Sequence, residues 1–473
     1  MTDSISLAGL FVALTLPWLC GSIWINWLLG RTGRCNIFVV LGQGFFVGTF
    51  LVTLIIRLWD VAGLDLNFWG ITGAASVFGG VGILLQRLWP IAVAPKRHIE
   101  SVPAWHFVVA TVLLVLIAWR HMALLQELLL RPLYAWDAWM NWAPKAIVWF
   151  HHGALVDFVS PTSWLAGSGG GGYTLGNRQA TPYPITVPLI QLWGMLGIGT
   201  WDHSAIYLPW VMAPLALGLA LFGHLRLAGV PFIMAIIGCY LLLSLPYLNV
   251  HSVLAGYADI WLASAFLLGV CTLYEIQRCR HWAYFFLWAI LTLLCAQLKD
   301  PGILLALLLL VFGAREWLRF SLKLELVVVG VLLSLAILLI TLGVSLDIPY
   351  LGKIVLDSNA IELGKFGHFQ LEYHPVGSAF LETFFVMINW NILWYFLVVV
   401  VVCTILRGEG MRLFSSEFLI VIMAVGCLAS IFVFTGYYTA ALNFVTLNRA
   451  LLYPVPAIIF CIFLCFQKRE AIQ

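Results

Sequence analysis

Long apolar runs separated by short polar segments make up most of the chain. Runs of about 17–25 apolar residues are long enough to cross the hydrocarbon core of a bilayer as helices. The pattern predicts an all-α polytopic membrane protein with about 13 transmembrane helices. They lie at approximately 7–29, 36–56, 66–86, 103–119, 204–222, 230–247, 257–274, 282–298, 301–314, 325–345, 383–405, 418–436 and 449–466. A further run, 184–200, is interrupted by prolines and glycines, and whether it crosses decides the orientation of everything after it.

The distribution of charged residues favours a topology in which 184–200 does not cross. Cytoplasmic loops of membrane proteins carry an excess of Lys and Arg. With the N-terminus outside and 184–200 in the interface, the inner loops hold 15 of the 24 basic residues and 7 of the 21 acidic ones. If 184–200 crossed, ten of those fifteen basic residues would lie outside. We therefore expect amphipathic interfacial helices in a long outer loop, with the N-terminus outside and the C-terminus inside.

This topology divides the chain into five parts. They are an N-terminal four-helix segment, an outer loop with the interfacial helices, a central group of helices, a second outer loop and a C-terminal group of helices. Their ranges are 1–119, 120–203, 204–345, 346–382 and 383–473.

Composition supports the membrane assignment and excludes several other classes. Hydrophobic residues make up 63% of the chain and charged residues only 10%, whereas a soluble protein has about 25% charged residues. A water-soluble fold, a disordered chain and a fibrous repeat are therefore excluded. The net charge of +3 is small and dispersed, so nucleic acid is not expected as a partner.

The segment 133–146 is the richest in polar chemistry, and it falls in the first outer loop. A helix there would place Asp137, Asn141 and Lys145 on one face, at i, i+4 and i+8. Tryptophans would occupy another face at headgroup depth, and Pro144 would kink the helix or divide it in two. The alternative is a segment that only anchors the loop, but anchoring does not require a carboxylate among four tryptophans.

Three further helix ends are expected on the same outer face. Asp259 opens a span, Lys299 lies in a tight turn between two spans, and Arg449 begins the last span. Each has a simpler explanation, because an acid complements a helix N-terminus and a cation can snorkel to the interface. Together with Asp137, however, they place two acids and two cations within reach of a lipid headgroup. The glycine-rich stretch 167–172 is either a hinge or lid over such a site or a plain linker.

Five short stretches, in order along about 320 residues, resemble the GT-C superfamily of membrane glycosyltransferases, which use polyprenyl-phosphate-linked sugars. They are Trp136-Asp137-Ala138-Trp139 with Lys145-Ala146, Tyr183-Pro184-Ile185-Thr186-Val187-Pro188, Gly256-Tyr257-Ala258-Asp259, Lys299-Asp300-Pro301-Gly302, and Arg449 with Pro454. The sequence departs from the family pattern in two ways. Asp300-Pro301 stands where Asn-Glu is expected, and four spans precede the Asp137 loop where many relatives have one.

The resemblance implies a role for each matched position. Asp137 would be the general base that takes a proton from an acceptor hydroxyl, and Lys299 and Arg449 would bind the phosphate of the donor. Asp259 would orient a substrate as a second catalytic residue, or join Asp137 in holding a divalent metal such as Mg or Mn. The remaining substrate contacts would come from Asn141, Lys145, Tyr183 and Tyr257.

The function expected from this resemblance is transfer of a sugar to an acceptor hydroxyl at the outer face, with inversion at the anomeric carbon. Nucleotide sugars are cytosolic, so a donor available outside must already be attached to a lipid. The acceptor would be a saccharide, a lipid or a protein, and the location a bacterial inner membrane with the site on the periplasmic face. The alternatives are a transporter or flippase of a lipid-linked saccharide, and a polysaccharide ligase or polymerase.

Overall fold

The structure is a computed structural model and describes residues 5–89, 103–168, 170–319, 331, 334–335, 337–348, 352–357, 359–364 and 368–467. Helices dominate these residues. They are α1 (Leu7–Leu29), α2 (Ile37–Val61), α3 (Phe68–Leu88), α4 (Ala104–Leu130), α5 (Ala143–His152), α6 (Pro161–Leu165), α7 (Thr186–Ile198), α8 (Leu208–Leu227), α9 (Phe232–Leu243), α10 (Pro246–Val253), α11 (Asp259–Cys279), α12 (Trp282–Leu298), α13 (Pro301–Leu318), α14 (Gly377–Phe385), α15 (Leu393–Leu406), α16 (Ser416–Phe434), α17 (Tyr438–Leu442), α18 (Val445–Leu452) and α19 (Val455–Leu464). Short 3₁₀ turns lie at Arg178–Ala180, Ser204–Tyr207, Ile388–Trp390 and Gly410–Phe414, and a π-helical turn at Ala138–Trp142.

Among the described residues, eight helices are long and apolar enough to cross a membrane, and up to ten if two bent pairs each count as one span. The chain is therefore a multi-pass membrane protein built mainly from helices. Two predicted spans, 282–298 and 383–405, correspond to shorter apolar helices, α12 and α15. Nine of the 21 residues of the predicted span 325–345 lie outside the described residues, namely 325–330, 332–333 and 336. The expected number of thirteen spans stays a prediction.

Proline explains why two of the predicted spans are bent. Helices α9 and α10 meet at 56°, and α18 and α19 meet at 46°. Pro246 begins α10, and Pro454 directly precedes α19. Proline has no N–H for the preceding turn and disfavours helical backbone in the residue before it, so the helix ends there and restarts in a new direction.

Small residues allow the first helices to pack at close range. Helices α1 and α2 run antiparallel, and a Cβ added to Gly48 would lie 1.7 Å from the carbonyl oxygen of Pro17. In the same way, Gly42 on α2 lies against the backbone of Ala220 on α8. Such contacts between small residues are a common means of joining helices in membranes. Helix α11, buried from Asp259 to Ile276, packs between α8, α12, α13 and α19.

Buried acids lie at both ends of α11, and we use them to name the two ends of the helix bundle. At the Glu275 end, Arg34 Nε donates to the Glu275 carboxylate at 2.6 Å. At the Asp259 end, the carboxylate contacts Lys299 and Arg449. Basic residues predicted to lie inside, such as Arg34, are therefore separated from the candidate site by the length of α11.

Helix α7, the interrupted run 184–200, begins and ends at the Asp259 end. Arg57 near the end of α2 donates to Thr186 Oγ1 at 2.7 Å, and the Ser6 N–H before α1 donates to the Ile198 carbonyl at 3.0 Å. Because α1 and α2 are antiparallel, Ser6 and Arg57 lie at the same end of the pair. The contacts therefore agree with the prediction that this run does not cross.

The second predicted outer loop contains a small antiparallel sheet that the sequence analysis missed. Its strands, in sheet order, are β1 (Val344–Ile348), β2 (Gly352–Leu356), β3 (Ala360–Leu363) and β4 (His368–Gln370). In the register, Leu346 pairs with Ile354 and Val355 with Glu362. The N–H groups of Glu372 and His374 donate to carbonyls at the end of α16, which fixes the sheet to the Asp259 end. Strands this short leave only a weak alternating pattern, which the long apolar runs beside them obscure.

Candidate functional site

Arg449 joins two acids from distant parts of the chain. Its Nη2 donates to Asp137 Oδ2 and, at 2.9 Å, to Asp259 Oδ2, while its Nε lies 3.3 Å from Asp259 Oδ1. The guanidinium carbon lies 5.0 Å from the centre of the Tyr257 ring, in cation–π geometry. Arg449 is therefore the central residue of a cluster at the Asp259 end.

Asp259 is completely buried and fully occupied by donors. Besides Arg449, its carboxylate accepts hydrogen bonds from Lys299 Nζ at 3.0 Å and from Tyr453 Oη at 2.7 Å. Lys299 Nζ also lies 3.3 Å from Tyr453 Oη. An isolated buried carboxylate is very unfavourable, and these three partners compensate its charge. Asp259 thus fixes Arg449 and Lys299 in position from the buried side of the cluster.

Asp137 lies on the more open side of the same cluster, with 14% of its side chain exposed. Its Oδ1 accepts a hydrogen bond from Asn141 Nδ2 at 3.2 Å, and its own N–H donates to Tyr257 Oη at 3.1 Å. Asn141 in turn accepts a hydrogen bond from Asn177 at 2.8 Å. Hence the two acids differ in access, because Asp137 can be reached by a substrate and Asp259 cannot.

A glycine and a π-helical turn bring Asp137 to this position. Gly256 has φ +86°, and a Cβ there would lie 2.7 Å from the Cβ of Ala138. The π-helical turn Ala138–Trp142 follows directly, and α5 begins at Ala143 with Pro144 in its first turn. Pro144 thus separates two short helices, as the sequence indicates.

The π-helical turn also changes which residues share a face with Asp137. Asn141 stays beside it, but Lys145 does not. Lys145 is 2% exposed and its Nζ donates to the carbonyls of Ala180, Thr181 and Tyr183 at 3.0–3.3 Å. It holds the segment 180–183 in place, and we do not include it among the proposed substrate contacts.

The tryptophans of this segment are divided between two environments. Trp136 and Trp139 are more than half exposed, as expected at headgroup depth, whereas Trp142 and Trp149 are buried in the core. The expectation that the tryptophans form a single interfacial face is wrong, because the π-helical turn rotates Trp142 inward against Tyr183, with ring centres 5.3 Å apart.

Two tyrosines predicted as substrate contacts lie beside the cluster. Tyr257 packs on Arg449 and accepts the Asp137 N–H, and burial raises the pKa of its hydroxyl. Burial also raises the pKa of Tyr183, with a further contribution from the carboxylates of Asp300 and Asp137. Both phenols are therefore neutral donors at physiological pH.

The structure adds residues that sequence reasoning missed. Tyr453 contacts both Asp259 and Lys299, and its position four residues after Arg449 was the available signal. His251 is buried with its ring 5.9 Å from that of Tyr257, and nothing in its local sequence distinguishes it. Asn448 accepts a hydrogen bond from the buried Trp390 at 3.0 Å and so fixes the helix that carries Arg449.

The cluster does not fit a divalent metal held by Asp137 and Asp259. Arg449 donates to both carboxylates, and the Asp259 oxygens are also occupied by Lys299 and Tyr453. A metal ion would have to displace a cation that already neutralises these acids. Elsewhere in the described part of the chain, no group of three or more His, Cys, Asp and Glu residues could hold a metal ion.

Chemically, the cluster combines two negative and two positive groups at one end of an apolar bundle. Arg449 Nη1 makes no hydrogen bond to any residue that the structure describes, so two of its N–H donors remain for an anion. Asp137 is the acid available to accept a proton.

The chain matches no protein-family model, no curated protein and no solved structure.

Proposed function

We propose that this protein is an integral membrane glycosyltransferase, which moves a sugar from a polyprenyl-phosphate donor to an acceptor hydroxyl at the Asp259 end. The observation that carries the proposal is the arrangement of Arg449 between an accessible acid and a buried one, with Lys299 beside it. Clusters of buried charges at the end of an otherwise apolar bundle commonly mark functional sites. The GT-C resemblance of the same residues points to sugar transfer.

In the proposed reaction, the acceptor hydroxyl attacks the anomeric carbon and gives its proton to the Asp137 carboxylate. The bond between that carbon and the phosphate oxygen breaks, and the lipid phosphate leaves with the electron pair. Arg449 and Lys299 stabilise the charge that develops on this oxygen. A direct displacement of this kind inverts the anomeric carbon.

The contacts favour Asp137 over Asp259 as the base. A base must come within hydrogen-bond distance of the hydroxyl that it deprotonates. Asp259 is inaccessible and holds three donors, whereas Asp137 is partly exposed. In this proposal Asp259 is a positioning residue, which keeps Arg449 and Lys299 at a fixed separation for the phosphate.

The proposed donor explains the position of the site. A polyprenyl tail keeps the donor phosphate at headgroup depth, where the helix ends supply the cations. We place the site on the outer face, the periplasmic one if the protein lies in a bacterial inner membrane. The acceptor would be a saccharide, a lipid or a protein, and the sheet β1–β4 at this end is a candidate surface for it.

The decisive test is Asp137→Asn in purified protein, assayed with a polyprenyl-phosphate sugar. Asparagine preserves the shape and the contact with Asn141 but cannot accept the proton. We expect transfer to fall by about 10²–10⁴-fold, with donor binding retained. Asp202→Asn, an exposed acid in the same outer loop, is the matched control and should keep full activity. Full activity of Asp137→Asn would refute the base assignment.

Transport of a lipid-linked saccharide is the second candidate, because one observation favours it. Gln43 and His224 are fully buried and hydrogen-bond each other at 2.9 Å, near the Glu275 end of the bundle. Buried polar groups inside a bundle of membrane helices commonly mark a transport path. The double variant Gln43→Leu, His224→Phe should leave sugar transfer intact. If the protein is a transporter, the same variant would abolish movement of a labelled lipid-linked saccharide across vesicle membranes.

A further inference from the structure

A groove on the side of the bundle lies apart from the charged cluster. It has a volume of about 450 Å³ and runs between α4, α9 and the start of α15. Its walls are mainly apolar and include Ile117, Ile237, Leu241 and Phe396. A concave, apolar surface of this size is typical of a ligand site, and on a multi-pass membrane protein it faces the acyl chains of lipids.

One cation lines this groove and has no acidic partner in the described part of the chain. Arg120 is exposed and makes no ion pair or hydrogen bond there. It lies ten residues before the end of α4, about 15 Å along the helix axis, and directly after the predicted span 103–119. An arginine at the edge of a membrane span attracts anionic headgroups, so an anionic lipid phosphate complements it.

The groove also contains a strained residue at the broken span. Asn391 has φ +48° and ψ −128°, a combination that residues other than glycine rarely adopt. Its Nδ2 donates at 3.0 Å to the carbonyl of Ser244, which the end of α9 leaves without a helical partner. The lipid-facing side of this break thus carries exposed polar groups, which a lipid headgroup can cover.

A wall separates the groove from the Arg449 cluster. Trp390 is fully buried, its ring centre is 5.4 Å from that of Tyr247, and its Nε1 donates to Asn448 on the helix of Arg449. Tyr247 Oη donates to the Val445 carbonyl at 3.3 Å. These contacts lie between Asn391 and Arg449, so a lipid in the groove occupies a different site from the proposed donor phosphate.

We propose that this groove binds an anionic membrane phospholipid, with an acyl chain along α4 and α9 and the phosphate on Arg120. The bound lipid covers the break between α9 and α10. It thereby stabilises α10, which forms one side of the cluster. This proposal does not depend on the reaction that the cluster catalyses.

The test is lipid retention by the full-length protein, measured by native mass spectrometry after extraction from nanodiscs of phosphatidylglycerol or phosphatidylcholine. The wild type should retain phosphatidylglycerol preferentially, and Arg120→Gln should reduce that retention by about five-fold, the effect of one basic residue at the membrane surface. Arg131→Gln is the matched control, because Arg131 directly follows the same helix but pairs with Glu127 at 3.0 Å. It should behave like the wild type.

A second variant tests the apolar part of the groove. Leu116 lines it and is partly exposed, so Leu116→Trp should narrow the groove without disturbing the core. Retention of phosphatidylglycerol should fall while the thermal unfolding midpoint in detergent is kept. Equal retention of the two lipids, or no effect of either groove variant, overturns the proposal. Arg120-dependent displacement of the phospholipid by polyprenyl phosphate also overturns the proposal, because the groove would then be a binding site for the glycosyl donor.

Discussion

At the scale of single residues, two lysines of the same outer region have opposite environments. Lys299 donates to the Asp259 carboxylate, whereas Lys145 donates to three main-chain carbonyls and to no acid among the residues that the structure describes. The first is held by an opposite charge and is suited to bind an anion. The second uses its charge to fix a loop. From sequence position alone, both lysines are expected to contact a substrate.

The burial of Lys145 predicts a pH dependence of stability. Burial lowers its pKa to about 8, whereas in the unfolded chain the pKa is about 10.4. Between these values the unfolded state binds more protons, so stability should rise with pH above about 8, by up to about 1.4 kcal/mol per pH unit. Below pH 8 both states are protonated and the group contributes no dependence.

Thermal unfolding of the purified protein in detergent, measured from pH 7 to pH 10, checks this prediction. The Lys145→Met variant should lack the rise between pH 8 and 10. Lys353→Met, which removes an exposed lysine of β2, should keep it. Identical pH profiles for the wild type and Lys145→Met would contradict the prediction.

At the scale of elements, the site depends on helix ends that stop where they do for local reasons. The turn before α11 needs Gly256 in a left-handed conformation and in contact with Ala138, and the π-helical turn after Asp137 aligns Asn141 with the carboxylate. Proline ends α9 and precedes α19, which places Tyr247 and Tyr453 near the cluster. The interrupted helices are therefore the elements that build the site.

The contact of Gly256 with Ala138 makes Gly256→Ala a sensitive variant. A methyl group there meets Ala138 and strains the backbone, at a cost of about 1–3 kcal/mol, and should move Tyr257 away from Asp137. We expect a lower unfolding midpoint together with a loss of sugar transfer. Gly73→Ala on α3, where an added Cβ meets nothing within 4 Å, is the control. It should be neutral or slightly stabilising, and equal effects of the two substitutions would contradict this view.

At the scale of the whole molecule, polar residues are concentrated at the two ends of a buried central helix. Helix α11 carries Asp259 and Glu275, each paired with arginine, and apolar packing fills the length between them. Helix α7 begins and ends at the Asp259 end, as the predicted topology requires. We therefore expect the site, the glycine-rich loop and the sheet β1–β4 to lie on one side of the membrane.

Labelling of single cysteines tests this arrangement. Ser168 lies in the glycine-rich loop, and Met411 lies at the Glu275 end; both are exposed. In a background without native cysteines, a membrane-impermeant maleimide should label Ser168→Cys in intact cells. It should label Met411→Cys only after permeabilisation. Labelling of both positions in intact cells, or of Met411→Cys alone, would reverse or refute the topology.

The sequence carried the membrane class, most helix positions and the four charged residues of the cluster. Span length follows from bilayer thickness, and the charge asymmetry of the loops reports orientation, so both can be read locally. Asp137, Asp259, Lys299 and Arg449 were predicted to share one membrane level because each stands at a helix end. The structure brings these four residues together, while their chemical roles stay a proposal.

Tertiary structure alone decided how those residues differ. Contacts between segments as far apart as Asp137 and Arg449 bury Asp259 and leave Asp137 accessible. Such contacts also bring Tyr453 to the Asp259 carboxylate and direct Lys145 to main-chain carbonyls. The π-helical turn that moves Lys145 is one extra residue in a helical repeat, and side-chain periodicity cannot place it. The sequence therefore determined which charges reach one end of the bundle, and packing determined which of them a substrate can reach.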